Sequence, residues 1–213
     1  MNLFDVLSTD GGAVAQRMSG VVVGVVTNTQ DPAGLGRVKV KFPWLSDSEE
    51  SFWARVATPM AGKGRGFYFL PEVEDEVLLA FEHGDARFPY VLGALWNGQD
   101  KPPENNDKGE NNIRSIKSRS GHVIRLNDTG GEEKIEIIDK SGTNTIVIDA
   151  AKNTITMTSD KDITLSASNG TIKLDAQKVE IKSSAGTKIE AGAGMDVKAT
   201  GTMNVKGAMV NIN

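Results

Sequence analysis

The chain has 213 residues, room for one large or two small domains, and no cysteine, which excludes disulfides and thiolate metal sites. A formal net charge of −4 and a pI near 5.3 argue against a nucleic-acid partner. No apolar run approaches the roughly 20 residues of a membrane-spanning helix, and residues 1–20 lack the basic start and apolar core of a signal peptide, which predicts synthesis in the cytoplasm.

Residues 1–19 are weakly patterned, with Phe4, Val6 and Leu7 as the apolar residues able to pack on a partner. From Gly20 the pattern is all-β. Val21–Thr27 is a continuous apolar run, read as a strand buried on both faces, and Asp31–Gly36 is a turn cluster. Val38, Val40 and Phe42 alternate with Arg37, Lys39 and Lys41, which predicts a half-exposed strand ending at Pro43. Further strands are predicted at Phe52–Ala57, Glu76–Phe81 and Tyr90–Leu95, with three glycines (Gly62, Gly64 and Gly66) opening the chain before Phe67–Leu70. Short strands without helical periodicity over 20–96 predict a small Greek-key barrel such as an OB-fold.

Every Phe, Trp and Tyr lies at or before Trp96, and every Pro at or before Pro103, so two architectures share the chain. The segment 97–117 reads as a linker, rich in Asn, Asp, Glu, Lys, Gly and Pro over its first part. Residues 118–145 read as transition strands, around Val123–Leu126 and Ile135–Ile138, with hairpin-like turns at Asn127–Gly131 and Lys140–Asn144.

From 146 to 213 two apolar residues flanking one other recur about every eight residues: Ile146/Ile148, Ile155/Met157, Ile163/Leu165, Ile172/Leu174, Val179/Ile181, Met195/Val197, Met203/Val205 and Val210/Ile212, with Ile189 in the one gap. Period-2 alternation marks strands with one buried face, and repetition marks a repeat architecture. A coil that stacks on itself needs roughly 20 or more residues per turn. Eight residues make one side of a triangle, and three chains wound together supply the other two. The expectation is an intertwined homotrimeric β-helix with residues Ile146 to Val205 of these pairs, and Ile189, along its axis. An antiparallel meander packed on another domain is the alternative that periodicity leaves open.

Basic and aromatic residues interleave in the barrel, among them Arg37, Lys39, Trp53, Arg55, Phe67 and Tyr68, as on a single-strand nucleic-acid platform. The acids Glu72, Glu74, Asp75 and Glu76 follow at once, and the alternation places the charges on a solvated face. Those carboxylates read as a turn before a strand rather than an acid/base pair. Two isolated histidines, His83 and His122, give no metal spacing, and Gly62–Gly66 lacks the spacing of a phosphate loop. No enzyme, cofactor or metal is expected.

Three stretches together resemble the valine-glycine repeat (Vgr) spike proteins and the phage baseplate assembly protein V family. They are Pro32–Leu45; Trp53–Ala57 with Ala61–Gly66, Leu70–Leu78, Phe81–Asp85 and Pro89–Gly93; and Ser118–His122. The resemblance implies an OB-fold barrel on a trimeric β-helix, forming the membrane-puncturing spike of contractile tails and type VI secretion. About 19 residues precede the barrel where type VI members carry a hub domain, which is closer to the phage arrangement with a separate hub trimer. Residues 1–19, through Phe4, Val6 and Leu7, are then expected to dock on that hub. The last apolar pair, Val210 and Ile212, is expected to seat a separate tip protein of the PAAR-repeat type. Such a spike is assembled into a virion baseplate or injection particle and meets the target envelope transiently, piercing it and plugging the tube end. A trimeric tail-fibre or adhesin stalk is the rival reading, and an OB-fold single-strand nucleic-acid binder the second.

Overall fold

The computed structural model describes residues 18–212, without the side chains of residues 46–48. The chain divides between Asp160 and Lys161 into two units.

The first unit opens with the barrel. β1 (Val21–Asn28) pairs antiparallel with β2 (Lys39–Phe42) on one side and β7 (Glu76–Phe81) on the other. β3 (Ser46–Glu50) extends the sheet beyond β2, β8 (Pro89–Ala94) beyond β7, and the two-residue β4 (Arg55–Val56) runs parallel to β8. The order is β3-β2-β1-β7-β8-β4. Val38, just before β2, and Ala54, just before β4, exchange backbone hydrogen bonds of 3.0 and 2.7 Å. The sheet thereby curls until β4 reaches the β2 side, which makes a barrel.

Alternation fills its interior. Val77, Leu79 and Phe81 of β7 point inward and meet Val26, Val38, Val40, Phe42, Ala54 and Val91. The Phe42 and Phe81 rings lie 6.0 Å apart, tilted by 44°. Each fully buried side chain of this size contributes about 1.5–3 kcal/mol over its exposed state.

Several sequence expectations shift. β1 is not buried on both faces: Val21 is 55% and Val23 39% exposed, because only the alternate residues Gly24 and Val26 are buried in the barrel. The strand expected over Phe52–Ala57 shrinks to β4, with Phe52 in a bend and 37% exposed. The last barrel strand starts one residue earlier than expected, at Pro89. The glycines before Phe67–Leu70 make a hairpin of β5 (Ala61–Gly62) and β6 (Arg65–Gly66). A Cβ on Gly66, at φ +152°, would stand 2.6 Å from the Met60 carbonyl oxygen, so this position requires glycine. The turn Glu82–Gly84 is a single 3-10 turn.

The first unit ends in a five-stranded antiparallel meander. Its strands β9 (Ile113–Lys117), β10 (Val123–Asn127), β11 (Lys134–Ile138), β12 (Thr145–Asp149) and β13 (Thr154–Thr158) lie side by side in chain order. β9 falls inside the segment read as linker. Side chains tie the turns: Asp139 accepts from the Ser141 hydroxyl at 2.6 Å and from the Gly142 N–H at 3.1 Å. Those bonds, the Ser141 hydroxyl first, hold its pKa at about 2.

The second unit behaves differently. Among the described residues from Lys161 to Ile212 no strand forms. The backbone bond Gly170 N–H to Ala167 carbonyl, 3.3 Å, closes one turn there, and Ser183 with Gly186 closes another.

Candidate inter-chain face

The registers of the meander place its apolar side chains in two rows. Ile116 pairs with Ile124, Ile124 with Ile137, Ile137 with Ile146, and Ile146 with Met157. Beside that row runs a second, Leu126 with Ile135, Ile135 with Ile148, and Ile148 with Ile155. Within each strand the two members are two residues apart and so share one face. All nine side chains are exposed in the single chain, from 37% at Ile146 to 73% at Ile155. A contiguous apolar sheet face of this kind, uncovered, marks a contact surface.

The opposite face is mixed and half-buried, with Val123, Ile138 and Val147 beside Arg125 and Glu136. Arg125 of β10 donates through Nε and Nη2 to Glu104 at 3.0 and 2.8 Å, which straps the preceding segment over the sheet. Glu136, the buried charged residue of the meander, lies 3.7 Å from Arg125 and 3.1 Å from Lys134. A buried carboxylate is tolerated when paired in this way. One face is thus partly covered by the chain itself and the other is not.

Of the expected axial residues, Ile146, Ile148, Ile155 and Met157 lie in this face, within an antiparallel meander. The first two pairs of the repeat therefore take the in-chain pairing that periodicity had left open. Ile163, Leu165, Ile172, Leu174, Val179, Ile181, Ile189, Met195, Val197, Met203 and Val205 lie in the second unit and are exposed. Exposed ion pairs flank some of them, Lys178 with Glu180 around Val179 and Lys188 with Glu190 around Ile189. Val210 and Ile212 are exposed as well. Phe4, Val6 and Leu7 lie outside the described residues. Sequence reasoning passed over Ile116, Ile124, Leu126, Ile135 and Ile137 as part of the face. The signal was present as the same doublets, Ile124/Leu126 and Ile135/Ile137, but eleven residues apart rather than about eight.

The acids before β7 form a turn: the Asp75 carboxylate accepts the Glu72 N–H at 2.7 Å, and Glu72 accepts from Arg119 at 2.7 Å. His122 accepts the Lys140 N–H on Nδ1 at 3.2 Å. Among the described residues no cluster of three His, Asp or Glu is placed to hold a metal ion, and no helix is long and apolar enough to cross a membrane.

Both the curled barrel and the ladder that follows it have counterparts among known protein families. Residues 22–96 match the type VI secretion system/phage-baseplate injector OB domain. Residues 114–213 match a family described as an uncharacterized protein conserved in bacteria (DUF2345). Two relatives are type VI secretion system spike proteins of Pseudomonas aeruginosa: VgrG1b, 31% identical over 55% of this chain and 16% of its own, and VgrG5, 32% identical over 64% and 18%. The actin cross-linking toxin VgrG1 of Vibrio cholerae is 29% identical over 47% of this chain and 10% of its own. Through these two segments the chain belongs to the Vgr and phage-baseplate spike family. It spans less than a fifth of the length of each of these curated relatives.

Proposed function

We propose that the chain is a subunit of the central spike of a contractile injection machine, and that three copies join to make its shaft. The observation that carries this is the two-row face of the meander, left open by the chain's own fold, followed by a segment in which the described residues form no strand while their apolar side chains stay exposed. An extended segment with regularly spaced apolar side chains needs backbone and side-chain partners together. Identical copies supply both, since equivalent doublets then face one axis and the Lys–Glu pairs face water. The barrel would seat the shaft on the baseplate hub. Such a shaft would lead the tube through the target envelope, with Val210 and Ile212 offered to a tip partner. The mechanism proposed is mechanical, and the described residues carry no catalytic constellation.

Native mass spectrometry tests the assembly. The expected species has three times the 22.8 kDa of one chain. A stable monomer at micromolar concentration overturns the reading.

A further inference from the structure

We propose that the barrel bears a binding groove for a short neutral oligosaccharide, lined by Phe52, Trp53, Arg55, Phe88 and Tyr90. This groove of about 660 Å³ lies where β4 runs beside β8. That is within the range of roughly 300–1,000 Å³ typical of small-ligand sites. The parallel register sets Arg55 beside Tyr90, and the Arg55 guanidinium carbon stands 5.5 Å from the centre of the Tyr90 ring. Arg87 stands 5.6 Å from the Phe88 ring centre, and Arg37 5.9 Å from that of Trp53. Phe88 is 52% exposed, in a barrel whose Phe42 and Phe81 are buried.

Charge selects the ligand class. Arg37 is held by Asp31 and Arg87 by Asp85, at 2.7 and 2.5 Å, while the Tyr90 hydroxyl donates to Glu82 at 2.5 Å. Two of the groove's arginines, Arg37 and Arg87, are thus matched by carboxylates, which lessens the attraction that drives nucleic-acid binding. The exposed Phe88 ring offers a face for the C–H side of a pyranose, and the Arg55 guanidinium offers N–H donors for its hydroxyls. OB barrels are a fold that takes oligosaccharides as well as oligonucleotides. The proposal does not depend on the assembly state of the shaft.

The test uses the full chain, with chitotriose and maltotriose as neutral probes and oligothymidylate as the polyanion, followed by calorimetry and tryptophan fluorescence. At least one saccharide is expected to bind with an affinity that added sodium chloride does not change. Phe88→Ala is expected to weaken it about tenfold, the upper end of a lost ring contact. Phe52→Ala/Phe88→Ala is expected to abolish it, with an unchanged circular dichroism spectrum. Failure of both saccharides to bind overturns the proposal. So does equal binding by the double variant, or salt-sensitive binding of oligothymidylate that displaces the sugar.

Discussion

The carboxylate of Asp31 grips Arg37 through Nε and Nη2 at 2.9 and 2.7 Å, six residues further along the same loop. It also accepts the backbone N–H groups of Ala33, Leu35 and Arg37, so one side chain, 3% exposed, shapes the whole turn into β2. The Arg37 guanidinium, chiefly, holds the Asp31 acid well below the usual carboxylate range. A depressed folded-state pKa stabilises the fold above the unfolded value of about 3.9 and ceases to do so as pH falls through the folded value. Asp31→Asn should therefore lower the thermal midpoint by several degrees at pH 7. The difference from the parent chain should shrink as the pH is taken below about 4. Melting curves across that range check both statements.

The centre of the open face offers a sharper test of assembly. Ile135→Asp or Ile137→Asp puts a carboxylate into the middle of the two rows, at a cost of several kcal/mol once the face is covered. Each variant is expected to run as a monomer in size exclusion with light scattering. Thr156→Asp, on the other face of β13, should assemble like the parent chain.

Gly66→Ala drives a methyl group into the Met60 carbonyl and should destabilise the barrel by more than about 1 kcal/mol. Chemical denaturation measures the shift. Loss of stability with assembly retained is the expected combination.

Leu79 is wholly buried at the centre of β7. Leu79→Ala should cost about 2–5 kcal/mol, the range for truncating a packed leucine. The same denaturation experiment reads it, with an unchanged slope.

The strap over the half-buried face can be cut separately. Arg125→Ala removes the donor to Glu104 and leaves Glu136 with Lys134 alone within ion-pair reach. A loss of about 1–3 kcal/mol is expected for the under-paired buried carboxylate. Faster amide exchange in β10 and β11 should accompany it.

Much of the barrel was legible from alternation, because Val38, Val40 and Phe42, then Val77, Leu79 and Phe81, each fill one side of a pleat. β3 was not, since Ser46–Glu50 holds no apolar residue and pairs through backbone and the Lys39–Glu50 contact at 3.0 Å. At Phe67–Leu70 apolar content is no guide to burial, since Tyr68 is 79% exposed. β9 escaped notice because Arg114 occupies one of its two face positions, opposite Leu126. The Asp31 loop was visible only as turn residues, for its carboxylate acts across a spacing that no short motif encodes.

The wider interval in the meander also sets an order of events. Turns of four to six residues let each strand double back on its neighbour, so β9 to β13 close through short loops, which favours early formation. In the trimeric shaft proposed above, the segment beyond Asp160 would gain its partners from other chains. Each chain would then bring rungs already set at fixed heights, and copies meeting along those rungs would start aligned rather than sliding past one another in search of a match. The meander would in this sense be a primer, with the shaft copied from its register.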